Sequence, residues 1–97
     1  MEITKTLEGD TLTVAVSGRI NTNTAPEFEA ALSSLDGVKH LVLDFSDVAY
    51  ISSAGLRVVL KTRKAISRQG DMVVRNVKPE IMEVFEMTGF LDFLTIE

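Results

Sequence analysis

The sequence predicts an α/β layer fold on a mixed sheet, and three observations carry that prediction. Period-two apolar runs alternate with 3.6-residue stripes along the chain, a tight Gly-Asp turn joins the first two strands, and every later strand follows a helix. The resulting order is β-β-α-β-α-β-α-β, with four or five strands and three or four helices in one domain over residues 1–97.

The opening reads as a hairpin. "EITKTL" alternates, Gly9-Asp10 supplies the turn, and "TLTVAVSG" alternates again with Leu12, Val14 and Val16 on one face. Gly18 is expected to end that strand. In "NTNTAPEFEAALSSL" the signals switch to helix: Thr24 is placed as N-cap, Pro26 in the first turn and Glu27 as the partner in a capping box. Phe28, Ala31, Leu32 and Leu35 supply the helical period.

After the Gly37 break, "KHLVLDF" holds the run Leu41-Val42-Leu43, the pattern of a strand covered on both faces. Asp44 to Tyr50 read as a connection. A second helix follows from about Ser53 to Arg68, closed by Gly70, and "DMVVRNV" is the next strand. A third helix runs from Lys78 to Thr88, with Pro79 near its start and Gly89 as its stop, before a last strand in "DFLTIE".

Composition narrows the function classes. A hydrophobic share of 45% and a charged share of 25% belong to an ordinary soluble globular chain. No window approaches the roughly 18 apolar residues of a membrane span, and "MEITKTLEGD" lacks a basic-then-apolar leader. The absence of Cys removes disulfides, thiol nucleophiles and thiolate metal sites, which fits a reducing cytosol. A formal net charge of −4 is the opposite of a nucleic-acid binder's balance and suits a partner for another protein.

The chemistry concentrates in "DVAYISSAGLRVVL". A helix N-terminus leaves backbone N–H groups unpaired and carries partial positive charge, so one serine hydroxyl serves as a cap. Two serines exceed that need. Gly55 costs about 1 kcal/mol against Ala inside a helix, so its backbone is expected to be closely approached, by a neighbouring strand or by a partner. Phosphate on Ser53 would sit against free N–H groups and the positive helix end, adding nearly two negative charges without melting the helix.

"LVLDFSDVAYISSAGLRVVL" resembles the signature of the STAS domain, as found in bacterial anti-sigma-factor antagonists. The resemblance extends over the whole chain, through "VSGRINTNTAPEFEAAL" to "VKPEIMEVFEMTGFLDFLTI". It implies a cytoplasmic partner-switching protein. The unmodified antagonist would bind an anti-sigma factor that is also a serine kinase, freeing the sigma factor; phosphorylation would break the complex and a PP2C-like phosphatase would restore it. Aligned on Gly55-Leu56, the phosphorylated position falls on Ser53, with Ser52 as the alternative acceptor. Ser52 stands where the best-known motif has Asp, Ala54 replaces a following Ser, and Asn21 stands at a second usually acidic position. Asn21 is read as a turn residue that keeps the hydrogen-bonding shape without the carboxylate.

The expected partner surface comprises Asn21, Tyr50, Ser52, Ala54, Gly55, Arg57, Lys61 and Lys64. Arg57, Lys61, Lys64 and Arg68 share one face of the second helix, one turn beyond Ser53; they form either a solvated face or a docking stripe for an acidic partner. Leu56, Val59, Thr62 and Ile66 form the neighbouring stripe that should pack on the sheet. Glu80, Glu83 and Glu86 read as a solvated face of the third helix, and Phe85 as core. Tyr50 either supports the helix start or fills a partner contact.

No enzyme is expected. The single His40 flanks a strand with nothing to place it beside Ser53, and there is no G-x-S-x-G elbow, Walker A run or paired-His metal spacing. Asp44 and Asp47 could in principle bind a cation near the serines, but Asp is common at strand ends and turns. Neither cofactor nor metal is expected. The competing reading is a constitutive STAS interaction module of a transporter or sensory complex, against which the lack of a membrane segment or sensory extension counts.

Overall fold

The computed structural model describes residues 1–97. Its elements run β1 (Glu2–Glu8), β2 (Thr11–Ile20), α1 (Ala25–Ala31), β3 (His40–Ile51), α2 (Ser53–Ile66), β4 (Asp71–Arg75), α3 (Pro79–Met87), a 3-10 turn over Phe90–Asp92, and β5 (Thr95–Ile96). The five strands lie in sequence order, β1-β2 antiparallel and β2-β3, β3-β4 and β4-β5 parallel. Each parallel step encloses one helix, as a crossover connection requires. The mixed sheet and the expected order are both present.

One face of the sheet makes the core. Leu12, Val14 and Val16 of β2, Leu41, Leu43 and Phe45 of β3, and Met72 and Val74 of β4 are buried, while their alternate neighbours are half-buried. Helix residues Phe28, Leu56, Val59, Ile66, Ile81 and Phe85 close over that face in a single cluster. Phe28, Phe45 and Phe85 meet in tilted pairs at 6.3 and 6.4 Å between ring centroids, within the favourable range for aromatic packing. Full burial of such side chains contributes about 1.5–3 kcal/mol each.

Several elements depart from the sequence expectation. The stretch from Asp44 to Tyr50 is strand, not connection: Phe45, Val48 and Ile51 keep facing the core, and pairing with β2 persists to Ile20↔Ile51. Two register shifts, between Ala15 and Ser17 and between Gly18 and Arg19, absorb the broken alternation that made this segment look irregular. For the same reason β2 passes through Gly18 rather than ending there. Strand β3 is covered on one face only, since Val42 between buried Leu41 and Leu43 is half-buried.

Helix α1 is shorter than its periodicity suggested, and Leu35 lies beyond its end. Thr24 occupies the N-cap position without a side-chain cap bond; its hydroxyl instead donates to the Arg19 carbonyl at 2.7 Å, so no capping box forms. Helix α2 stops at Ile66, two residues before Arg68. Gly70 follows because the chain there runs against β3's entry: a Cβ would lie 1.8 Å from the Lys39 carbonyl oxygen. Strand β4 ends at Arg75, and a 3-10 turn shortens the last strand to Thr95–Ile96. Helix α3 matches its expected span to within one residue at each end.

The open sheet face carries one polar cluster. Asp44 accepts from the Ser46 backbone N–H at 3.0 Å and from the Asn76 amide at 3.2 Å, with Arg75 Nε 3.9 Å away. Burial opposes its charge, but the bonds from Ser46 and Asn76 and the Arg75 charge outweigh that and hold the carboxyl below its ordinary value of 3.8. A depressed carboxyl contributes stability above its unfolded value and loses it as the pH falls through the folded one. The Asp44→Asn protein is therefore expected to show a shallower loss of urea midpoint below about pH 4 than the parent. Parallel acid profiles for the two proteins would refute this.

Candidate functional site

The two serines have different jobs. Ser52 is extended backbone (φ −92°, ψ 174°) at the N-cap of α2; its Oγ accepts from the Gly55 N–H at 3.3 Å, and its own N–H donates to the Ile20 carbonyl at 2.8 Å. Ser53 is the first helical residue and is exposed. Its hydroxyl makes no hydrogen bond within the protein, and the N–H groups of Ser53 and Ala54 have no protein acceptor. A free hydroxyl thus stands at the positive end of a 14-residue helix beside unpaired donors.

Gly55 is the reason the helix can start there. A Cβ at this position would lie 2.6 Å from Ile20 Cγ2 and 2.8 Å from Ile51 Cγ1. The close approach is made by the chain's own strand ends, and Gly55 is buried, so its place in the expected partner surface is corrected to a packing role. The first turn of α2 is thereby pressed against the C-terminal ends of β2 and β3, in the place where open α/β sheets present their sites.

The remaining sequence-selected residues divide. Ala54, Arg57 and Lys61 line a groove of about 310 Å³ together with Thr22, Pro26 and Glu29. Lys61 pairs with Glu29 across that groove; as an exposed ion pair it contributes at most about 1 kcal/mol and exchanges readily. Arg57, Lys64 and Arg68 are exposed and make no ion pair. Asn21 is spent in its own turn: Oδ1 accepts from the Asn23 N–H at 2.9 Å and the Thr24 N–H at 3.1 Å, which matches its reading as a turn residue.

Tyr50 is on the surface, 39% exposed, with the Arg19 guanidinium 4.4 Å above its ring centroid. Sequence reasoning missed Arg19, whose only signal was its cross-strand register with Tyr50, invisible until β3 is known to extend that far. The α1 side of the groove, Thr22, Pro26 and Glu29, was missed because helix packing creates it.

His40 lies at the other end of the twelve-residue strand from the serines and bonds Asp71 through Nδ1 at 2.9 Å. That hydrogen bond, and the carboxylate's charge, raise its pKa above the ordinary 6.5. At the far end of β3 this imidazole is out of hydrogen-bond reach of either serine and cannot act as base for them. No group of three or more His, Asp or Glu residues is placed to hold a metal, and no helix is long and apolar enough to cross a membrane.

The STAS domain family model matches residues 2–97. The chain belongs to the STAS domain family. Within it the chain falls with the anti-sigma factor antagonists, regulatory proteins without enzymatic activity. It is 40% identical over 88 residues to BtrV of Bordetella bronchiseptica, named as a candidate anti-sigma factor antagonist, covering 88% of this chain and 76% of BtrV. It is 30% identical over 96 residues to the anti-sigma-B factor antagonist of Listeria monocytogenes, covering 96% of this chain and 84% of that one. Among solved structures, an anti-sigma factor antagonist from Mycobacterium paratuberculosis superposes with a TM-score of 0.90 at 25% identity, over 98% of this chain and 83% of the other. The STAS domain assignment agrees with the five-stranded sheet and three crossover helices described above.

Proposed function

We propose that this STAS domain is a cytoplasmic antagonist that binds an anti-sigma factor with serine-kinase activity and is released by phosphorylation of Ser53. The observation that carries the reading is the division of labour at the α2 N-terminus. Ser52 is occupied as a cap, whereas Ser53 presents an exposed hydroxyl with no partner. A phosphate on Ser53 would meet two unpaired N–H groups and the helix dipole, and Arg57 stands one turn along the same face. A phosphate on Ser52 would displace the cap and crowd a half-buried position.

The switch is electrostatic. The face next to Ser53 is basic through Arg57, Lys61 and Lys64, and suits an acidic surface of the kinase. Nearly two added negative charges would satisfy Arg57 internally and repel that surface. The fold would not need to move. A PP2C-like phosphatase would reverse the modification, since the phosphate would be as exposed as the hydroxyl that receives it.

Phosphosite mapping by intact mass and fragmentation, on protein taken from its native cell, tests the proposal. One phosphate on Ser53, lost in Ser53→Ala and retained in Ser52→Ala, is the expected result. Phosphate on Ser52 would overturn the acceptor assignment. A chain never phosphorylated under any growth condition, yet recovered with stable partners, would leave a constitutive interaction module.

A further inference from the structure

The C-terminal fifth of the chain differs in charge from everything before it. Residues 79–97 hold five acidic side chains, Glu80, Glu83, Glu86, Asp92 and Glu97, and no basic one; the other residues hold ten basic and nine acidic. The net negative charge of the protein is therefore a property of this segment. All five acidic side chains are exposed and none forms an ion pair.

The same segment holds three of the five large hydrophobic side chains that the protein exposes: Met87 at 78%, Leu91 at 37% and Phe93 at 37%. Phe93 is anchored to the core and to α2. Phe93 packs on Phe90 at 4.9 Å between centroids, Phe90 stacks on buried Phe85 at 6.3 Å, and the Phe93 carbonyl accepts from Arg63 Nε of α2 at 3.2 Å. Glu83 precedes Met87 by one helical turn on the same face of α3, so the carboxylates border the apolar side chains. An anchored aromatic side chain and an exposed Met within a polar border are the make-up of a protein interface.

We infer that the end of α3 and the following 3-10 turn form a second docking surface, separate from the serine face, for an amphipathic helix whose apolar ridge is flanked by Lys or Arg. Charge selects this occupant. An anionic membrane and a second copy of the same surface would both bring like charge against unpaired carboxylates. The exposed row of α2 in a second copy offers cations but no apolar ridge to cover Met87 and Phe93. Because this surface lies outside the α2 N-terminus, its occupancy is independent of phosphate on Ser53.

The test is an amide-resolved NMR titration of the full chain with a synthetic amphipathic helix of leucine and lysine, and with its leucine-glutamate twin. Shifts centred on Met87, Leu91 and Phe93 with the lysine peptide alone are expected, with affinity falling as salt rises. Met87→Ser, at an exposed site that leaves the core intact, and the double variant Glu83→Lys/Glu86→Lys should each weaken binding by at least about ten-fold. Ser53→Glu should leave it unchanged. Equal binding of the two peptides, shifts centred on α2, or both variants binding like the parent would overturn the proposal. So would cosedimentation with anionic vesicles, or self-association of the parent chain that Met87→Ser abolishes.

Discussion

Ser53→Glu is expected to bind the anti-sigma partner at least about ten-fold more weakly than the parent, a loss of about 1.4 kcal/mol or more, while Ser53→Ala binds within about three-fold. The carboxylate carries one negative charge where phosphate carries nearly two, so the substitution should reproduce the direction of the switch and only part of its size. Ser53 is exposed and bonded to nothing, so neither change should disturb the fold. Ser52→Ala separates the two serines. It removes the acceptor for the Gly55 N–H and should cost about 1 kcal/mol of stability, with partner affinity retained. Titration calorimetry against the purified partner, with urea denaturation of each variant, reads both quantities. A Ser53→Glu protein that binds as well as the parent would reject an electrostatic switch at this position.

Gly55→Ala is expected to destabilise the protein by about 1–3 kcal/mol, against the sign that helix propensity gives. On propensity alone, Ala in place of a helical Gly should stabilise by about 1 kcal/mol. The new methyl, however, would lie 2.6 Å from Ile20 Cγ2 and 2.8 Å from Ile51 Cγ1, both on buried, β-branched side chains with little rotamer freedom. Relief requires the first turn of α2 to lift from the ends of β2 and β3, which also weakens the Ser52 N–H bond to the Ile20 carbonyl. A reduced urea midpoint with an unchanged slope is the expected reading. A stabilised Gly55→Ala protein would show that the helix start has room to move.

The limits of sequence reading fall at identifiable residues. Periodicity identified the hairpin, all three helices and half of the hydrophobic core, because Leu12, Val14, Val16, Phe28, Leu56, Val59, Ile66 and Phe85 repeat at the spacing of their own element. It failed where the repeat is broken by something non-local. Asp44, Ser46 and Asp47 make β3 look like a loop, yet β2 pairs with it through two register shifts. Thr24 fits a capping box, but the Arg19 carbonyl competes for its hydroxyl. Tyr50 was singled out and Arg19 was not, although the two are stacked, because only strand register makes them neighbours.

The candidate site divides in the same way. The sequence by itself determined the α/β order, the family resemblance, the basic face of α2 and a serine pair at a helix start, since these depend on spacing within one segment. Tertiary structure alone decided which serine is free, by pinning Ser52 between the Ile20 carbonyl and the Gly55 N–H. It also decided that Gly55 is required by Ile20 and Ile51, and that α1 supplies the far wall of the groove beside Arg57. The physical reason is range: residue spacing encodes contacts made within a helix or strand, whereas a hydroxyl's freedom depends on every group that packing brings within hydrogen-bonding distance of it.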